Sequence, residues 1–284
     1  ALVGAARLAV GGACVLCSSL QLGHQRWLQN VPACPTYRAK VFAQMGRAAF
    51  MSGYQALVLG ASGAIGQAFL AHFQKDAACA LAVGLSRQSA LRFELEDEDS
   101  MAQCAAALRL ASGPYGACEF KYIVDATGAL TLEGQGPEKR LQALNAKQLL
   151  RQFEVNAVGP ALLIKHFSPL LVSQEAACYA TLSARVGSIE DNHKGGWYGY
   201  RAAKAARNML LQTAAIEAFR QKPLAVFAAL QPGTVQSGLS AKFVATEDAM
   251  TPENSVAQMM RALQSLKPTG RAQFVDYAGQ TIPW

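Results

Sequence analysis

From Ser52 onward the chain alternates short apolar runs with longer amphipathic stretches. That rhythm is expected of repeated strand–helix units joined by crossovers. It predicts strands near 55–59, 80–85, 91–94, 121–125, 177–183, 224–230 and 272–276, with helices between them. The long helices fall near 147–171 and 198–219. Tyr122-Ile123-Val124 and Leu224-Ala225-Val226-Phe227 show no polar alternation, as in parallel strands covered on both faces. The expected architecture is α/β: one doubly wound parallel sheet of about seven strands, with helices on both faces. Ligands of such sheets collect at the carboxyl ends of the strands.

The first unit is chemically specific. Gln55-Ala56-Leu57-Val58-Leu59 reads as a strand and runs into Gly60-Ala61-Ser62-Gly63-Ala64-Ile65-Gly66. Gln67 to Phe73 then reads as a helix. Small residues in such a turn let the backbone approach a pyrophosphate, which the helix N-terminus holds through free N–H groups and its dipole. Strand before and helix after make this a dinucleotide site. The tip of the second strand, Leu85-Ser86-Arg87, bears on the choice of dinucleotide. A carboxylate there would bind the ribose 2′-hydroxyl and repel a phosphate. Arg87 can instead pair with a 2′-phosphate and Ser86 can donate a further hydrogen bond. NADP(H) is therefore the expected cofactor, with NAD(H) also admissible.

Tyr200 and Lys204 stand four residues apart in a predicted helix, so their side chains share one face. A phenol ordinarily keeps its proton until about pH 10. A cation beside it favours the phenolate, which suits Tyr200 to trade a proton with an alcohol or a carbonyl. Trp197 and Tyr198 are expected to wall the pocket or pack beneath it.

Together these residues resemble a short-chain dehydrogenase/reductase, and the resemblance covers about Ser52 to Trp284. The branch most resembled is that of C-factor-like, sniffer-like carbonyl reductases. Leu182-Ser183-Ala184-Arg185-Val186-Gly187-Ser188-Ile189, Gly195-Gly196-Trp197-Tyr198 and Ile282-Pro283-Trp284 carry it. It implies a fold of the single-domain Rossmann type and hydride transfer between nicotinamide and a small carbonyl or alcohol substrate, with Tyr200 as the acid–base group. Lys204 then also bonds the nicotinamide ribose, and Asn156 holds a proton-relay water. The family's three glycines fall on Gly60, Ala64 and Gly66, and Gly63 stands where many NADP-using relatives carry a basic residue. Glu94-Leu95 occupy the family's acid-plus-apolar pair against adenine. Asp125-Ala126-Thr127-Gly128 replace its usual Asn-Asn-Ala-Gly. Pro232, Gly233 and Val235 fall in the loop whose backbone binds the carboxamide, and Pro232 to Ala249 are expected to close over the nicotinamide. The usual substrate-orienting serine aligns with Ala184. Ser183 is the favoured replacement, while Ser188, or no hydroxyl at all, stays open. A dinucleotide-binding signalling or sensor protein with little turnover is the alternative reading.

Charge changes this picture little. The formal net charge is +7, but the first fifty residues hold five basic groups (Arg7, Arg26, Arg38, Lys40, Arg47) and no acidic one. The remainder carries 21 basic against 19 acidic residues. A near-neutral domain without a basic aromatic patch does not call for nucleic acid. Residues 1–50 are expected to be an extension that is disordered, a targeting segment, or sequence upstream of a start at Met51 or Met45. The dehydrogenase-like domain then spans 51–284. Leu8 to Leu22 is apolar but short and broken by glycine and serine, which argues against a membrane span. Cys14 and Cys17 lack a second pair or a histidine cluster, so no metal is expected. Cys79, Cys104, Cys118 and Cys178 read as small core residues in a reducing, cytoplasmic setting. The two long helices could pair across a two-fold axis, and both a homodimer and a monomer stay open.

Overall fold

The computed structural model describes residues 53–110, 119–237 and 249–284. The expected extension, Cys14, Cys17, Cys118 and residues 238–248 of the expected closing loop lie outside the described residues. Strands β1 (Tyr54–Leu59), β2 (Cys79–Leu85), β3 (Tyr122–Asp125), β4 (Ala177–Leu182), β5 (Ala225–Gln231) and β6 (Ala272–Asp276) form one sheet. Their order is β2-β1-β3-β4-β5-β6, and every neighbouring pair is parallel. The helices are α1 (Ala64–Lys75), α2 (Glu98–Leu110), α3 (Ala146–Phe153), α4 (Gly159–Phe167), α5 (Tyr198–Ala218) and α6 (Pro252–Ser265).

Strand residues point alternately to the two faces, and both faces are covered, which is why the strands read as continuous apolar runs. Leu57 and Leu59 join a core with Met101, Leu108, Leu163, Phe167 and Leu211, from α2, α4 and α5. Ala56 and Val58 join a second core with Phe69, Phe73, Met259 and Leu263, from α1 and α6. The chain passes from β1 to β2 on one side and returns to β3 on the other. That reversal opens a crevice at the carboxyl ends of β1 and β3.

Two elements differ from the expectation. Residues 91–94 are not a strand of the sheet; Glu94 pairs only with Asp97, in an isolated bridge. A parallel neighbour needs a crossover of a dozen residues or so, and β2 ends at Leu85. Ser89 instead closes a turn: its hydroxyl accepts from Ser86 N at 2.8 Å and lies 2.8 Å from both the Ser86 and Leu91 carbonyls, between which its one hydrogen is shared. Phe93 is buried beside Phe167 without a partner strand. The long helix near 147–171 is a continuous helical run, but it widens into a π-turn over Glu154–Val158 before α4. Pro160 has no N–H to offer the Asn156 carbonyl four residues back, so the regular ladder cannot pass there.

Candidate active site

At the end of β1 the chain turns on Gly60, whose φ of +83° favours glycine. A methyl group at Gly66 would lie 2.2 Å from the Gly60 carbonyl oxygen, so only a bare α-carbon lets the turn close. Gly63 caps the start of α1 without any side-chain cap. The leading N–H groups of a helix have no partner within it, and Gly63, Ala64, Ile65 and Gly66 line a cleft of about 480 Å³. This backbone cradle fits a dinucleotide pyrophosphate. Ser62 lies exposed at the tip of the turn.

The same cleft brings together most of the candidates from the sequence. Ala126, Thr127, Gly128, Ser183, Tyr200, Lys204, Pro232, Gly233 and Val235 line it. Arg87 is exposed beyond the tip of β2, and the Ser86 hydroxyl accepts from Gln88 N at 3.1 Å. Glu94 is exposed, whereas Leu95 packs against Gly159 at the start of α4. Neither residue belongs to the lining of the main cleft.

Tyr200 and Lys204 are both buried on the inner face of α5. Lys204 Nζ lies 5.5 Å from the centre of the Tyr200 ring and donates to the Leu182 carbonyl at 3.0 Å. The start of α5 is fixed by Glu138, which accepts from Gly199 N at 3.1 Å through its carboxylate. The electrostatics differ from the simple expectation of a lysine that activates a phenol. Burial pushes the Tyr200 phenol up to about 12, and the cation that opposes this is Arg207. Lys204 is itself driven well below the usual lysine range, first by burial and then by Arg207, with Asp125 pulling the other way. Enclosure penalises any charged form, so the lysine loses the permanence that the argument from spacing assumed.

Asn156 is fully buried in the π-turn. Its amide donates to the Ala129 carbonyl and Gln152 Oε1, both at 2.8 Å, and its Oδ1 accepts from Ala129 N at 3.1 Å. That Oδ1 and Lys204 Nζ both face the α-carbon of Gly128. Ser183 lines the cleft, but its hydroxyl donates to Asn208 Oδ1 at 2.7 Å. The Ser188 hydroxyl turns to the Trp284 carbonyl and the Asp191 N–H. Ala184 lies in the lining itself. Arg207 is the participant that reading from the sequence missed. A charged residue on the buried face of a helix demands a partner, and Asp125, already singled out, is the acid that meets it.

Known proteins resemble this chain. A family model described as short chain dehydrogenase matches residues 54–248. The 1-hydroxy-2-glutathionyl-2-methyl-3-butene dehydrogenase of Rhodococcus sp. is 31% identical over 142 residues, covering 50% of this chain and 61% of that protein. The C-signal of Myxococcus xanthus is 32% identical over 137 residues, or 48% of this chain and 78% of that one. The chain thus spans about three fifths of the first relative's length. Among solved structures, NADPH-bound carbonyl reductase from chicken fatty liver superposes with a TM-score of 0.71 at 20% identity. It covers 82% of this chain and 100% of that one. Carbonyl reductase Sniffer of D. melanogaster gives 0.69 at 20% identity with the same coverage. At that identity the structural likeness speaks for the fold.

Proposed function

The chain belongs to the short chain dehydrogenase family, and on that premise we propose that it is an NADPH-dependent reductase of small carbonyl compounds, or a dehydrogenase of the matching alcohols. One observation carries the reading: Tyr200 and Lys204 share a cleft with the uncapped start of α1. When bound, the dinucleotide supplies the hydride to a carbonyl carbon or takes it from an alcohol. The backbone from Gly60 to Gly66 would hold the pyrophosphate. Ser86 and Arg87 would take the 2′-phosphate, and Pro232, Gly233 and Val235 the carboxamide. Glu94 and Leu95 would border the adenosine side, and Ala126, Thr127 and Gly128 would border the dinucleotide where it passes toward Lys204. Tyr200 would give its proton to the substrate oxygen as a carbonyl is reduced, and recover it through Lys204 and a water held at Asn156. Its raised affinity for the proton suits the reductive direction, in which it begins protonated.

The test is oxidation of NADPH against a panel of aldehydes and ketones. Tyr200→Phe should keep dinucleotide affinity and lose turnover. Full activity in that variant would overturn the assignment, and tight binding without turnover across the panel would favour a signalling role. Arg87→Ala should weaken NADPH while leaving NADH unchanged; an equal effect on both removes the case for the 2′-phosphate.

A further inference from the structure

Beneath the cleft lies an ion pair that the proposed mechanism does not use. Arg207 and Asp125 are both fully enclosed, and Arg207 Nη2 donates to Asp125 Oδ2. Arg207 Nε donates to Thr181 Oγ1 at 2.7 Å, and Nη1 to the Thr127 carbonyl at 2.9 Å. Asp125 is held from its other sides: Thr181 Oγ1 donates to Oδ2 at 2.8 Å, and Thr127 N and Oγ1 donate to Oδ1 at 2.9 and 2.5 Å. The guanidinium therefore cannot swing.

Stability alone gives little reason for such a pair, since apolar residues of similar volume serve a core as well or better. Its position suggests another. Tyr200, Lys204 and Arg207 stand at i, i+4 and i+7 on α5, one face of the helix, and all three are buried. A methyl group at Gly128, in the lining of the cleft, would lie 2.9 Å from Asn156 Oδ1, 3.3 Å from Lys204 Nζ and 3.5 Å from Arg207 Nη1. The relay candidates and the guanidinium thus converge on one spot.

We propose that Arg207, locked by Asp125, is a positioning residue of this site: it supplies the permanent positive charge against which Tyr200 and Lys204 exchange protons. The inference rests on the hydride-transfer reading given above. Lysine is the usual choice for a cation that must titrate, whereas a guanidinium cannot be deprotonated in a protein. Arg207 opposes the upward push of burial on Tyr200 and adds to the downward push on Lys204. Both effects favour the proton-free forms. The other groups around Lys204 are Asp125 from β3, whose pull is weaker than that of Arg207, and uncharged Asn156 from the π-turn. Glu138 binds the Gly199 N–H at the start of the helix. Arg185, on the turn beside Lys204, is directed to Asp191 and Asp276.

The experiment removes both charges together, in Asp125→Asn/Arg207→Gln, with Asp125→Asn/Arg207→Met as a second route to a folded protein. Lys204 is titrated by NMR on lysine-labelled protein, assigned with Lys204→Met. Its midpoint should rise by about one pH unit. The acid limb of alcohol oxidation, along which the rate rises as the base loses its proton, should move upward in step, an approximately tenfold loss at a fixed pH on that limb. An unchanged Lys204 midpoint in a folded double variant overturns the proposal. Because the titration needs no turnover, a parent protein inactive on every substrate would sink the hydride-transfer reading and leave this measurement standing.

Discussion

The two halves of the cleft are made differently. The cradle between Gly60 and α1 is backbone: bare α-carbons, an uncapped helix start and a tight turn within seven residues. The floor around Lys204 is side chain, assembled from β3, β4, the π-turn and α5. A backbone cradle depends on what is missing, so a single added methyl blocks it. A buried polar floor depends on every partner being present, so any deletion strands another group.

Four measurements would break or sharpen that contrast. The largest effect is expected at the reacting group, where Tyr200→Phe should cost about 10²–10⁴-fold in turnover with the fold and dinucleotide affinity intact. Arg207→Met alone should come next. It leaves Asp125 buried and uncompensated, at about 3–5 kcal/mol of stability by urea unfolding. The double variant with Asp125→Asn should recover most of that loss, and no recovery would mean that the two residues are not coupled. Gly66→Ala should follow, with about 1–3 kcal/mol lost to overpacking and a clear fall in dinucleotide affinity by fluorescence titration. Normal affinity there would show that the cradle is not backbone-built. The smallest effect is alkaline. Cys104 and Cys178 are pushed by burial from 9.0 up to about 12, and Tyr200 from 10.0 to about 12. A folded-state value above the unfolded one means that the bound proton stabilises the fold. This contribution is whole below pH 9 and lost as pH rises through about 12. Thermal stability should decline across that window, less steeply in Cys104→Ala, and an identical slope would contradict the assignment.

The cradle was legible because its determinants are neighbours in the chain and its strand–turn–helix order is local. Most of the sheet was legible for the same reason. The expected strand at 91–94 is absent because packing of Leu91, Phe93 and Leu95 into the helix-lined core satisfies them as well as a strand would. The π-turn left one trace, Pro160, that periodicity does not weigh. The floor was half legible: helical spacing puts Tyr200 and Lys204 on one face, whereas Arg207 takes its meaning from Asp125, which only the fold brings beside it.

Residue order was enough to set which groups meet along α5, because a helix repeats every 3.6 residues whatever surrounds it. It was enough, too, for the glycine turn, whose shape is governed by steric limits on the backbone. Packing alone settled the state of those groups. Enclosure turned the Lys204 ammonium from a fixed charge into a reluctant one, and aimed the Ser183 hydroxyl at Asn208. Desolvation and hydrogen-bond direction arise from atoms brought together across the fold, which no local pattern contains.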